Sequence, residues 1–299
     1  MTLHYTIADV QPYISWPYFY HAWQLHQPDE QQQLRREAEQ WLQRHAADYR
    51  THALLLLGPA GSRGDDILFG GDTAPTGIDP RAFMQGRVGV IPTLRQQRPD
   101  DREPYCLALS DFIRPVSYLH GGACPCPACR RPLLRDVMGV FATTVDMGLE
   151  TDFADDPYER MMAQLLADRL AEATAERLHE EVRRRLWGYA PDERLSVGDM
   201  LQERWQGIRP AVGYPSLPDT SVNFVLDQLL NMADIGIRLT ESGAMKPHAS
   251  VSGLMISHPK ARYFAVGRIG PDQLADYARR RGLPIETMRR FLGTLTVGH

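Results

Sequence analysis

Gly207-Ile208-Arg209-Pro210-Ala211-Val212-Gly213-Tyr214-Pro215 follows a run of helix-forming residues and breaks it. Proline cannot continue a helix or serve a central strand, and glycine reaches backbone angles that other residues avoid. The stretch is therefore an ordered, extended loop carrying one fixed cation and one aromatic ring. Local sequence leaves two readings: a connector whose arginine is solvated, or a rigid loop that holds a ligand. The rest of the chain has to choose between them.

Upstream, Tyr158 to Tyr189 is the longest helical segment. Met162, Leu166, Leu170, Thr174, Leu178, Val182 and Leu186 recur every fourth residue and form one apolar stripe. Met161, Leu165, Asp168, Glu172, Ala175 and His179 share the opposite face. That face reads as solvated, or, if the helix is central to the fold, as the wall of a cleft lined by two carboxylates one turn apart.

Working outward, residues 1 to 28 read as an aromatic-rich irregular arm with one helical turn around Tyr18 to Leu25. Glu30 to His45 has helical periodicity. Ala53 to Leu57 suits a buried strand. Gly58 to Gly64 reads as a plain turn into the strand Ile67 to Phe69: its spacing fits no phosphate-binding fingerprint, and Asp65-Asp66 would repel phosphate. Residues 70 to 86 are loop-like, and Val88 to Ile91 is a strand. Tyr105 to Ile113 reads as a short helix, Val137 to Val145 as a strand and Val222 to Met232 as a helix. Ala249 to Ile256 and Arg262 to Ile269 read as two strands joined by Ser257-His258-Pro259-Lys260. Pro271 to Arg281 and Pro284 to Leu292 begin with prolines suited to a first helical turn. With no repeat or linker, residues 1–299 form one domain of α+β class: a curved antiparallel β-sheet flanked by helices.

The 299 residues can bury a sizeable core, and their net charge of -4 argues against a nucleic-acid partner. No apolar run reaches membrane-spanning length and no signal pattern opens the chain, so a cytoplasmic protein without membrane contact is expected. Four cysteines are too few for a disulfide framework.

Many short motifs resemble, in order, the activation domain of cobalamin-dependent methionine synthase. Arg209 to Tyr214 is similar to its Arg-Pro-Ala-Pro-Gly-Tyr-Pro loop. Ala167-Asp168-Arg169-Leu170-Ala171-Glu172-Ala173, Trp187-Gly188-Tyr189-Ala190-Pro191, Leu239-Thr240-Glu241-Ser242, Ala249-Ser250-Val251-Ser252-Gly253, Ser257-His258-Pro259 and Tyr263-Phe264-Ala265-Val266-Gly267 match as well. So do Tyr105-Cys106-Leu107, Asp111-Phe112 and the stretch from Asp272 to Ala278. The resemblance implies a shallow groove for S-adenosylmethionine (AdoMet). It implies AdoMet contacts for Asp111, Glu172, Arg209, Ala211, Gly213, Tyr214, Tyr263 and Phe264. Arg209 would fork onto the ligand carboxylate and Asp111 would accept from its ammonium. Asp168, Ser216, Asp219 and His258 would face the cobalamin partner. The implied activity is reductive methylation of cob(II)alamin, with an electron from flavodoxin or a flavoprotein. No Asp-x-His-x-x-Gly cobalamin signature is present, so the cobalamin is expected on a separate chain, as in a split methionine synthase served by a stand-alone reactivation subunit.

The chain departs from that family in three ways. The cobalamin, folate and homocysteine modules have no counterpart. Ser216 to Asn223 replaces the usual Ala-Cys-Pro-Asp-His-Thr-Glu-Lys, and Met255-Ile256 replaces an aromatic pair. Residues 118–135 read as an inserted loop holding Cys124, Cys126 and Cys129. With His120 or Cys106 as a fourth ligand these could bind zinc or an iron–sulfur cluster; free thiols are the third reading. Rival functions are a non-catalytic AdoMet-binding or cobalamin-protein-binding module, and a reactivator of another corrinoid methyltransferase.

Overall fold

Leu54 to Leu57 have two faces to bury, because successive strand side chains point to opposite sides. In the computed structural model, which describes residues 1–73, 75–99, 104–118 and 132–296, they lie mid-sheet with helices on both sides. Ten strands occur among the described residues: β1 (Thr2–Thr6), β2 (Arg50–Arg63), β3 (Asp66–Gly70), β4 (Val88–Pro92), β5 (Ser117–Tyr118), β6 (Pro132–Leu133), β7 (Asp136–Val145), β8 (Arg238–Leu239), β9 (Met245–Lys246) and β10 (Ser250–Met255). The helices are α1 (Ile7–Val10), α2 (Trp16–Ala22), α3 (Pro28–His45), α4 (Gly148–Thr151), α5 (Pro157–Glu181), α6 (Val197–Leu201), α7 (Val222–Leu230), α8 (Pro271–Arg281) and α9 (Ile285–Phe291). The main sheet runs β10-β7-β2-β3-β4, with β1 also on β2, and every pairing in it is antiparallel. The α+β class and antiparallel sheet are as the sequence implied. No helix among the described residues is long and apolar enough to cross a membrane.

Ala53, Leu55 and Leu57 pack with Phe141, Val145 and Met255 against α3 and α5. Leu54, Leu56, Met138 and Val140 pack on the other face against α7 and α8. Each fully buried leucine contributes roughly 1.5–3 kcal/mol relative to exposure. Helix α5 starts at Asp156, whose carboxylate accepts from the Tyr158 and Glu159 N–H groups, with Pro157 in the first turn. Its apolar stripe is buried as the periodicity predicts. The opposite face is not solvated: Ala175 and His179 are fully buried, and Asp168 and Glu172 are half-buried. α5 is the central helix, and its regular form ends in one wide turn at Val182–Leu186.

Four sequence expectations are corrected. The arm is not irregular: β1 joins the sheet and α2 forms at Trp16–Ala22. Gly58 to Arg63 is strand rather than turn, because its glycines serve close packing: a Cβ on Gly58 would lie 3.0 Å from the Phe69 ring, and one on Gly61 2.8 Å from Val116. Only Leu109–Phe112, a single tight turn, is helical between Tyr105 and Ile113. Arg262 to Ile269 is extended but joins no sheet; a hydrogen bond from Val266 N–H to Pro215 O (2.9 Å) helps hold it.

Gly207 to Val212 lies along the outer edge of β10. Ile208 and Ile256 exchange both backbone bonds (2.9 and 3.0 Å), Leu254 N–H donates to Pro210 O (3.0 Å) and Val212 N–H to Ser252 O (2.9 Å). Two glycines permit this approach. A Cβ on Gly253 would sit 2.2 Å from Pro210 O, and one on Gly207, at φ +84°, 2.3 Å from Ile256 O. Gly253→Ala should therefore push the loop off the sheet and cost about 1–3 kcal/mol. Gly198→Ala, whose Cβ meets nothing closer than 3.7 Å, should be neutral or better. Thermal melts test this; a Gly253→Ala midpoint within about a degree of wild type would contradict the tight docking.

Candidate functional site

Docking the loop on β10 carries Arg209 against α5. Its side chain is 9% exposed and pairs with Glu176, which is 12% exposed. Its backbone N–H donates to the Tyr263 hydroxyl at 2.9 Å, which ties the loop to the extended segment 262–266. Gly213, at φ +90°, turns the chain so that its own N–H reaches Leu217 O at 2.8 Å. The next residue, Tyr214, reaches back to α5 and donates to Glu172 Oε1 at 2.8 Å.

These elements enclose a cavity of about 870 Å³. Seven of the residues singled out from sequence line it: Glu172, Arg209, Ala211, Tyr214, Ser216, Tyr263 and Phe264. Gly213 shapes the wall without lining it. The cavity also takes Glu176, Glu203, Arg169 and Trp205, which the sequence reading did not name, and Tyr13, Ser15 and Tyr18 from the arm. Glu176 was visible in principle, four residues after Glu172 and so on the same helix face. Nothing local marks Trp205.

Three lining carboxylates, Glu172, Glu176 and Glu203, outnumber two guanidiniums, Arg169 and Arg209. Burial pushes the Glu176 carboxyl up, and the neighbouring Arg209 charge opposes that. Burial likewise raises Glu203, again opposed by Arg209. The net negative lining suits a cationic ligand. Polar atoms at the same place lack partners: Arg209 Nε, Glu176 Oε2 and Trp205 Nε1 are buried without a hydrogen bond. A lone orphan of this kind costs roughly 1–3 kcal/mol, so a cluster of them marks a site that expects a polar guest.

The other sequence-derived candidates lie elsewhere. Asp111 does not line the cavity. Its two oxygens accept from Arg95 at 2.7 Å each, and Ala108 N–H adds a third bond at 2.9 Å. Arg95 is shared with Asp65. Asp168 is half-buried one turn before Glu172, and burial raises its carboxyl. Ser216, on the cavity wall, and Asp219 are both buried. The Ser216 hydroxyl bonds the Phe264 carbonyl and accepts its N–H. Asp219 is 1% exposed and accepts from Ser221 and, at 2.8 Å, from the Tyr277 hydroxyl. His258 is half-buried against Phe112, with ring centroids 6.0 Å apart. Cys124, Cys126, Cys129 and His120 lie outside the described residues. Cys106 is half-buried and unbridged.

Behind the cavity, Trp205 stands edge-on to His179 (5.2 Å) and beneath the Arg183 guanidinium (4.9 Å). Arg183 is fully buried and forks onto Glu193 at 2.7–2.9 Å. His179 is fully buried, 3.2 Å from the Tyr189 hydroxyl. Burial, then the Arg183 and Arg209 charges, hold its pKa well below the ordinary 6.5. The native state thus keeps this imidazole neutral while the unfolded chain protonates it. Its stabilisation is complete above pH 6.5 and declines as pH falls below that value, by at most about 1.4 kcal/mol per pH unit. His179→Gln should flatten the acid side of the stability profile relative to wild type. Denaturant unfolding at several pH values checks this, and parallel acid limbs would refute it.

The geometry has known counterparts. A family model described as "Vitamin B12 dependent methionine synthase, activation domain" matches residues 6–282. The crystal structure of the MetH reactivation domain bound to AdoHcy is 34% identical, with a TM-score of 0.82, over 100% of this chain and 90% of that one.

Proposed function

Because this chain belongs to the family of vitamin B12-dependent methionine synthase activation domains, we propose that its cavity binds AdoMet and offers the sulfonium methyl group to a cobalamin on a separate chain. In this reading the protein reactivates a split methionine synthase in trans. A flavodoxin or flavoprotein supplies the electron. The observation that carries the proposal is the buried Arg209–Glu176 pair on the wall of a net-negative cavity.

The residues have distinct tasks. Arg209 is the cation for the ligand carboxylate, and Glu176 holds its guanidinium in place. Glu172 and Glu203 offset the ammonium and sulfonium charges. Tyr263 and Phe264 wall the cavity with aromatic surface, which favours a nearby cation by up to ~2 kcal/mol when dry. The corrinoid, when docked, supplies the cobalt nucleophile, and AdoMet leaves as AdoHcy with sulfur keeping the electron pair of the broken bond. The protein's own work is to bind, orient and dehydrate the donor. Asp168, Ser216, Asp219 and His258 remain the proposed cobalamin-facing set, and the internal bonds of Ser216 and Asp219 hold their stretch in place.

Mixing the protein with a cob(II)alamin-carrying chain, AdoMet and a reductant should bleach the cob(II)alamin absorbance. AdoMet binding without bleaching would leave only a binding module. Removing Arg209 alone strands a buried carboxylate, which is strongly destabilising at about 3–5 kcal/mol. The Arg209→Ala/Glu176→Ala double variant avoids this. It should fold and bind AdoMet at least about tenfold more weakly by calorimetry, and unchanged affinity would rule out the assigned carboxylate subsite.

A further inference from the structure

The N-terminal arm gives the cavity a wall of its own. Tyr13, Ser15 and Tyr18 line it beside the docked loop and α5. Tyr18 differs from the other tyrosine, phenylalanine and tryptophan rings of α2. Phe19 is fully buried, and Trp16, Phe19, Tyr20 and Trp23 lean on one another with ring centroids 5.6, 6.4, 6.5 and 6.3 Å apart. Tyr18 is left 67% exposed. Pro17 stands in the first turn of the helix, and the aromatic packing fixes its position. A large ring held rigidly in water loses little freedom on meeting a ligand.

Two further groups meet it there. The Arg169 guanidinium of α5 lies over the Tyr18 ring, 5.8 Å from its centroid. Its charge also acts on the Tyr214 hydroxyl. Tyr214, 53% exposed, is bonded to Glu172, which lies three residues after Arg169 on α5 and lines the cavity with it. Exposed flat surfaces of Tyr18, Arg169 and Tyr214 therefore gather at the open side of the cavity, while the Arg209–Glu176 pair closes its buried side. Flat rings and guanidinium planes are what a nucleobase stacks on, since every base has a π face.

We infer that Tyr18 is a base-stacking residue: it takes the purine of the bound nucleoside at the cavity mouth, with Arg169 alongside. The amino-acid end of the ligand is left to Arg209. This rests on the AdoMet reading of the cavity and adds to it a contact from an element outside the loop and α5.

The test is calorimetry with two probes, AdoMet and 5′-deoxy-5′-methylthioadenosine, which keeps the purine and ribose but lacks the amino-acid arm. Tyr18→Ala should weaken both by about tenfold, and Tyr18→Phe should keep both near wild type. Tyr105→Ala, at another exposed ring off the cavity, should change neither. A near-ultraviolet spectrum and melt establish that each variant is folded. Wild-type binding that Tyr18→Ala leaves within about twofold overturns the stacking role alone. So does loss of AdoMet with the thioadenosine unchanged. If wild type takes up neither probe, the AdoMet reading and this inference fall together.

Discussion

Main-chain pairing between Gly207–Val212 and β10 is the contact on which the cavity depends. It needs two positions without a Cβ, Gly207 and Gly253, because backbone of one strand lies where a side chain of the other would start. The bonds are backbone to backbone, so they fix the loop's path whatever its side chains are. Once the path is fixed, Arg209 must point at α5 and Tyr214 must return to it. The site's geometry is therefore set by the sheet and only populated by the functional residues.

Burying Arg209 would be unfavourable alone, since an isolated buried charge costs several kcal/mol. Glu176 makes it tolerable, and Arg209 Nε and Glu176 Oε2 are buried without a hydrogen bond. That arrangement trades stability for readiness: the pocket holds its polar groups in position before any ligand arrives. Trp205, on the cavity wall, packs against the buried His179 and Arg183, which stiffen it from behind. The excess of carboxylate over guanidinium then sets the sign of the preferred guest.

Much of this was legible in the residues. The four-residue recurrence from Met162 to Leu186 announced the central helix, and the prolines and glycines of 207–215 announced a rigid loop carrying Arg209 and Tyr214. What failed did so for physical reasons. Gly58 and Gly61 read as a turn because glycine composition does not separate bending from close packing; their Cβ-less positions serve Phe69 and Val116. Ser216 and Asp219 read as partner-facing through the family resemblance, and nothing local announced that they are buried. Their partners, Phe264 and Tyr277, lie 48 and 58 residues away and leave no local trace. Asp111 meets Arg95 across 16 residues for the same reason. The arm's aromatics read as packing, which holds for Phe19 and not for Tyr18.

The Asp219–Tyr277 bond has a consequence for how such a chain can be cut. Asp219 sits at the base of the turn that follows the docked loop, and it accepts from Ser221 and from Tyr277 on α8, with Arg281 nearby at 3.7 Å. Helix α8 is thus a keystone for that turn. A boundary drawn upstream of Tyr277 would remove both α8 partners of Asp219 and leave its carboxyl group to Ser221 alone.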